Sequence, residues 1–282
     1  MIRTTLRTVA AIAAFGILPG TGFAGEAWDD ISSMMFEDRV VINAAANDVI
    51  LNTPYRTTDD RRTRMGGTVS LPNGTLIDKV YLVIDENPMP VSAVFDLDRP
   101  MSEFSFDMTM RLNGPSGIHL VVETTDGEIL VREGYTKTSG LGACAAPPAT
   151  DPVIALQTLG QMELALAPAS SDAKTRLASL ASSSSSSSLL SKSVRAEIAF
   201  RHPSHSGLQM NQITLLYLPA RFIETIKFAT DETPLFTMTG SISISEDPSL
   251  AVTLPAGSST LTVKMIDTEE AAFEQLFYLG QS

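Results

Sequence analysis

The sequence predicts an all-β protein: two β-sandwich domains joined by a Ser/Ala-rich linker. Three observations carry that reading. Residues 103–112 put Phe104, Phe106, Met108, Met110 and Leu112 on one face and Ser105, Asp107, Thr109 and Arg111 on the other, the period-2 alternation of a strand with one buried and one wet face. Short segments of the same habit are punctuated by turn formers: Pro72-Asn73-Gly74, Asn87-Pro88-Met89-Pro90, Asn113-Gly114-Pro115 and Asp126-Gly127. Between two such regions the composition breaks. Residues 167–193 are rich in Ala and Ser, with an unbroken run from Ser182 to Ser188, a tract that buries too little apolar surface to offset ordering entropy.

Taken in order, residues 1–24 read as a secretory signal. Arg3 and Arg7 form a positive n-region, residues 9–18 an apolar run, and Gly22-Phe23-Ala24 a small-x-small cleavage site. The run is shorter than the about 20 helical residues that a bilayer requires. No twin arginine is present, so export by the general secretory route to the periplasm is expected, with a mature N-terminus at Gly25. No later segment is long and apolar enough to span a membrane. The chain has 282 residues and a net charge of −12, and loss of the two signal arginines makes it more acidic. Such acidity disfavours nucleic acid and anionic membranes as partners.

The first domain, residues 25–166, opens on an amphipathic helix with Trp28, Ile31, Met34 and Met35 facing the core. Strands are expected at 67–71, 77–85, 91–97, 103–112, 117–124 and 128–138. The Gly66-Gly67 pair reads as a turn, 152–166 as a short helix or strand, and Asp29, Asp30, Glu37, Asp38, Asp48, Asp59 and Asp60 as a solvated face. In the second domain, residues 194–282, Val194, Ala196, Ile198 and Phe200 alternate with polar residues, as do Leu261, Val263 and Met265. Strands are expected at 194–201, 213–218, 221–228, 236–243, 250–254 and 260–267, forming a smaller sandwich.

The chemistry concentrates on Cys144, the only cysteine. It lies in Ser139-Gly140-Leu141-Gly142-Ala143-Cys144-Ala145-Ala146-Pro147-Pro148, a stretch of small residues in which Gly140 and Gly142 supply backbone freedom. The smallness predicts a displayed thiol. One cysteine cannot form an internal disulfide, which leaves a free thiol, a covalent adduct or a disulfide-linked dimer. No cation lies within four residues to lower its pKa from near 8.5. That suits a carrier thiol activated by a partner better than an autonomous enzyme, and no nucleophile elbow surrounds it. His202 and His205 stand three apart, but Pro203 between them opposes a helix, and metal sites need three or four ligands. A structural role is expected for both, and a packed position for His119 in its strand. No cofactor or metal is expected, and no set of acid, base and nucleophile indicates an enzyme.

These residues resemble a known family. Residues 28–41 look like the start of SoxY, Asn87-Pro88-Met89-Pro90 like its Asn-Pro-x-Pro turn, and 103–112 like its long alternating strand. Gly142-Ala143-Cys144-Ala145-Ala146 is similar to the SoxY Gly-Gly-Cys-Gly-Gly arm, whose cysteine carries sulfur intermediates. Arg201-His202-Pro203 with Ser206-Gly207-Leu208 looks like a motif of SoxZ. The chain thus resembles a fused SoxYZ carrier, the variant described as quinoprotein dehydrogenase-associated. The resemblance implies Ig-like sandwiches and a periplasmic, non-catalytic carrier on Cys144. It also implies redox partners: sulfur-oxidation enzymes, or a quinoprotein (PQQ) dehydrogenase with its cytochrome. The alternative is an interaction module for such a dehydrogenase, with Cys144 incidental. Two departures stand out: three of the four flanking glycines are alanine, and the cysteine is internal. Both stiffen the arm.

Overall fold

A computed structural model describes residues 24–37, 39–140, 142–168 and 193–280. The signal segment, apart from Ala24, and the expected linker from 169 to 192 lie outside the described residues. The first half contains α1 (Ala24–Phe36), β1 (Val41–Asn43), β2 (Val49–Asn52), β3 (Thr63–Ser70), β4 (Ile77–Ile84), β5 (Val91–Met101), β6 (Glu103–Met110), β7 (Ser116–Thr124) and β8 (Ile129–Thr136). Then come α2 (Pro152–Ala155), β9 (Met162–Pro168), β10 (Val194–Phe200), β11 (Ile223–Thr230), β12 (Thr233–Gly240), β13 (Ser249–Leu254), β14 (Thr260–Asp267) and β15 (Ala272–Tyr278).

The strands form two sheets, in the orders β1-β8-β7-β4-β5-β12-β11-β14-β15 and β2-β3-β6-β13-β10-β9. Both sheets run across the two halves. β5 pairs antiparallel with β12, from Asp96 opposite Thr237 to Ala93 opposite Gly240. β6 pairs antiparallel with β13, Phe106 opposite Val252 and Met108 opposite Leu250. The Ig-like sandwiches therefore join edge to edge, which covers edges that would otherwise expose unpaired backbone groups. Between the sheets lies one apolar core drawn from both halves. Its aromatic centre joins Phe95 to Phe106 at 4.3 Å, Phe104 to Phe236 at 5.4 Å and Phe228 to Phe236 at 4.7 Å between ring centroids. Burying rings of this size dominates core energetics.

Local physics explains where the strand expectations held and where they did not. In β10, Ala196, Ile198 and Phe200 are buried as the alternation requires, and in β14 so are Leu261, Val263 and Met265. Segment 152–166 contains both α2 and the beginning of β9. Asp151 caps α2, accepting from the N–H groups of Val153 and Ile154. β9 pairs with β10, so Ala167 and Pro168 are strand residues opposite Arg195 and Val194. Gly66-Gly67 is not a turn but lies within β3. A Cβ on Gly66 would sit 2.1 Å from the Phe106 carbonyl oxygen, and one on Gly67 2.2 Å from Leu120, so both glycines permit close approach. Residues 213–218 form no strand. They are the far end of a small excursion closed by an isolated Met210–Tyr217 bridge, with Asn211 Oδ1 accepting from the N–H groups of Ile213 and Thr214. In α1, Met34 is exposed and Phe36 takes its place, packing with Trp28 against Val83, Val121, Ile129 and Val131 on the outer face of the larger sheet.

Candidate functional site

The chain leaves β8 at Thr136 and enters the cysteine loop, which closes against the start of the second half. The loop is held at each end and in the middle. At its entry, Ser139 donates its backbone N–H to Asp60 Oδ2 at 2.9 Å and its hydroxyl to the same carboxylate. Next to the cysteine, the N–H of Ala143 donates to the Leu112 carbonyl at 3.3 Å. Ser206 Oγ donates to the Cys144 carbonyl at 2.5 Å, and Gln209 Nε2 to the Ala146 carbonyl at 3.0 Å. At its exit, the N–H groups of Ala149 and Thr150 donate to the two oxygens of Glu246 at 2.8 and 2.9 Å.

The thiol is consequently not displayed. Cys144 is 0% exposed. The small side chains that leave a thiol uncrowded also let a facing backbone and its polar groups come close, and here that second effect wins. Closed in this way, the thiol cannot reach a second copy of the chain, so the expected disulfide-linked dimer does not follow from this arrangement. Gly140 and Gly142 have φ of +84° and +69°, left-handed values that glycine adopts without strain. They shape the bend of the loop, and the Ala145 N–H closes back on the Gly142 carbonyl.

Beside the loop sits Arg111, the residue after β6. The alternation places it on the wet face, yet it is among the largest fully buried side chains. At this end of the strand, loops of the second half cover that face. Its Nη1 donates to the carbonyls of Ser204 at 2.5 Å, Ile244 at 2.8 Å and Ile242 at 3.3 Å. Burial lowers its pKa to about 10, opposed by Cys144 and Glu246 nearby, so it remains a cation at neutral pH. Arg111 is the positive charge missing from the cysteine's sequence neighbourhood. Burial nevertheless outweighs it, and the Cys144 thiol is pushed up to about 11, protonated and a poor nucleophile while the loop is closed. A small recess of about 150 Å³ opens alongside, lined by Arg61, Arg62, Arg111, Ala143, Gln209 and Glu246 among others.

His202 and His119 are both buried and held by neighbouring side chains. Asp267, His202 and Ser204 follow one another in the contact order of a hydrolytic triad, with His202 Nε2 3.5 Å from Asp267 and Nδ1 3.1 Å from the Ser204 hydroxyl. That Nδ1 already accepts the backbone N–H of Ser204 at 2.9 Å, and Ser204 is 0% exposed. The ring therefore has no lone pair with which to activate the hydroxyl, and no substrate can reach it. Burial drives His202 down to about 4, so it is neutral at physiological pH. His119 stacks flat on Trp28 at 4.0 Å and lies 3.1 Å from Asp85, which ties α1 to the sheet. Among the described residues no cluster of three His, Cys, Asp or Glu could hold a metal.

The residues that build this site were largely hidden in the sequence. Asp60 reads there as part of a solvated acidic face, and Gln209 and Glu246 carry no local signal. Ser206 lies within a segment the sequence singles out, the one beginning at Arg201, and Arg111 stands in the alternating strand, but on the face expected to be wet.

Two family models match the chain: the sulfur oxidation protein SoxY over residues 34–144 and the sulphur oxidation protein SoxZ over residues 185–277. The chain carries both domains in one polypeptide, and its nearly all-β sheets fit the Ig-like sandwiches of both. Among solved structures it is similar to the sulfur carrier protein SoxY from Chlorobium limicola f thiosulfatophilum, at 18% identity over 40% of this chain and 96% of that one, with a TM-score of 0.33. It is also similar to a β-glycosidase from Bacteroides vulgatus, at 10% identity over 87% of this chain and 25% of that one, TM-score 0.22. A third is a Bacteroides ovatus mixed-linkage glucan utilization protein, SGBP-B, at 12% identity over 83% and 48%, TM-score 0.19. No curated protein matches. No helix among the described residues is long and apolar enough to cross a membrane.

Proposed function

We propose that this fused SoxY–SoxZ chain is a non-catalytic periplasmic carrier that holds a sulfur intermediate covalently on Cys144 and passes it between sulfur-oxidation enzymes. The observation that carries the reading is the place of the only cysteine: the SoxY match ends on residue 144, and Ser206 and Gln209 of the SoxZ match fold over that residue. Carriage through a thiol means an S–S bond between Cys144 Sγ and the cargo. Forming that bond from the thiol and a reduced sulfur species releases a proton and two electrons. In this reading the partner is a redox enzyme that accepts the electrons, since the one thiol of the chain is used up in the bond.

A second reading is favoured by one specific observation, the burial of the thiol. In it the chain is an interaction module and Cys144 is a small core residue. A quinoprotein dehydrogenase as its partner rests on the family resemblance alone.

Intact-mass measurement on protein isolated from the periplasm separates the two readings. A carrier shows added sulfur on Cys144 that reductant removes, and Cys144→Ser abolishes both adduct and pathway activity with folding and export unchanged. A Cys144→Ser protein that supports the pathway normally overturns the carrier and leaves the module.

A further inference from the structure

We infer that the second half acts as a gate on the thiol: Ser206 and Gln209 hold the cysteine loop shut, and Cys144 reacts only when they release it. The biological use of such a gate rests on the carrier reading; the closed state itself does not.

A sulfur at 0% exposure cannot be attacked in line by any reagent or partner, so a loop that never opened would be useless to a carrier. What closes the loop is light. Of the described residues from 139 to 150, only Ala143 and Cys144 are buried, so lifting the segment exposes little apolar surface. The remaining closure consists of hydrogen bonds that water can replace on opening. Two of them grip the tip. The Ser206 hydroxyl is fixed for this task, because it accepts from the Leu208 N–H at 3.2 Å while donating to the Cys144 carbonyl. Gln209 is fixed in the same way, its Oε1 accepting from the Ser206 N–H at 3.2 Å while Nε2 holds Ala146. The two side chains thus brace each other and grip carbonyls on either side of Ala145. Segments secured in this manner open locally, well below the free energy of global unfolding.

Alkylation kinetics test the gate. The purified, reduced full-length chain is treated with excess N-ethylmaleimide, and the Cys144 adduct is followed by mass spectrometry. The wild-type thiol should react at least about tenfold more slowly than glutathione at the same pH, because only the open fraction reacts. Each tip bond of ordinary net strength shifts the opening equilibrium roughly fivefold. Ser206→Ala with Gln209→Ala should therefore speed alkylation about 20-fold, the urea midpoint falling by no more than that same closing energy, whereas Ser206→Thr, which keeps the hydroxyl, stays slow. The rate should also be flat in urea below the unfolding transition, as a local opening exposes little surface. If the double variant does not fold, Gln209→Glu, which removes the donor at constant size, decides by the same rate. The gate is overturned if the wild-type thiol matches glutathione, if the variants react no faster, or if the rate climbs with urea as global unfolding does. Cargo plays no part in these rates. A slow, gated thiol that never carries sulfur in the periplasm defeats the carrier and leaves the gate, and a fast thiol that does carry sulfur defeats the gate and leaves the carrier.

Discussion

The two halves of the chain meet in two ways. Along the seam, β5 joins β12 and β6 joins β13 through backbone ladders, over a core in which Phe95, Phe104 and Phe106 touch Phe236 or one another. At the cysteine loop, the contact is a handful of hydrogen bonds: Ser206 and Gln209 donate to main-chain carbonyls, and Glu246 accepts from main-chain N–H groups. Apolar burial over several aromatic rings is strong and hard to reverse; hydrogen bonds exchanged with water are each worth about 1 kcal/mol net. The first joint makes one folded body of two domains. The second lets a short segment move without disturbing that body.

The sharpest way to break the comparison is to attack the seam alone. Phe106 is buried, packs on Phe95 and lies opposite Val252 across the seam. Phe106→Ala should cost about 3–5 kcal/mol, the usual range for emptying such a site, measured by urea unfolding. Alkylation of Cys144 below the transition should keep its wild-type rate. A loss under about 1 kcal/mol would mean that the halves do not share a core.

Acid should act on the second half near the loop. His202 is held neutral by burial, its pKa lowered from 6.5 to about 4 despite the nearby Asp267. The unfolded chain takes up that proton first, so this contribution is present above pH 6.5 and is lost as pH falls towards 4. Its full size is on the order of 3 kcal/mol. Urea midpoints between pH 7.5 and 4 should fall more steeply for the wild type than for His202→Gln. Parallel curves would remove His202 as the cause.

Base should act on the loop. The Cys144 thiol is raised from 9.0 to about 11 by burial, with Arg111 opposing. The closed loop therefore keeps its full stability below pH 9 and loses it as pH rises from 9 to 11, by up to about 2–3 kcal/mol. The difference in urea midpoint between wild type and Cys144→Ser reads this directly. Because a local opening releases the strain early, the loss should level off at the loop's own closing free energy. A loss that continued to pH 11 would show the loop to be as firmly held as the seam.

What the sequence revealed and what it concealed follow the same division. Strands such as 103–112 are legible because their alternation is a local pattern, satisfied within a few residues. The seam is not local: nothing in β6 says that its free edge meets β13. Arg111 shows the cost of reading a strand by itself. It occupies a wet position by alternation, yet loops that begin some 90 residues later, at Ser204, enclose it. Cys144 is misjudged for a related reason. Glycine and alanine around a thiol permit exposure and close packing equally, and the choice falls to Ser206 and Gln209, which are remote in sequence. The solitary cysteine singles the loop out in the sequence, but nothing there announces its closure.

The smallest predicted effect tests whether charge adds anything to the seam. Asp107 sits on the wet face of β6, where a lone surface residue would be worth less than about 0.5 kcal/mol. It is not alone. Arg195 of β10 is ion-paired to it across β13, and Arg64 bonds Glu197 at 2.7 Å on the same face, so two cations and two anions alternate there. Asp107 is half-buried, and burial raises its pKa against the pull of Arg195 and Arg64. Part of the Coulomb attraction is therefore spent on desolvation. The net coupling should be modest, about 1 kcal/mol at low salt and smaller at high salt. A double-mutant cycle of Asp107→Ala and Arg195→Ala isolates it, since removing both partners subtracts whatever each contributes separately. A coupling near 1 kcal/mol that fades with salt would make the ion pair a minor clasp on a joint made by aromatic packing. A coupling of zero would leave the seam to its ladders and its core, and a value near that of Phe106→Ala would place electrostatics on a par with apolar burial where the two halves join.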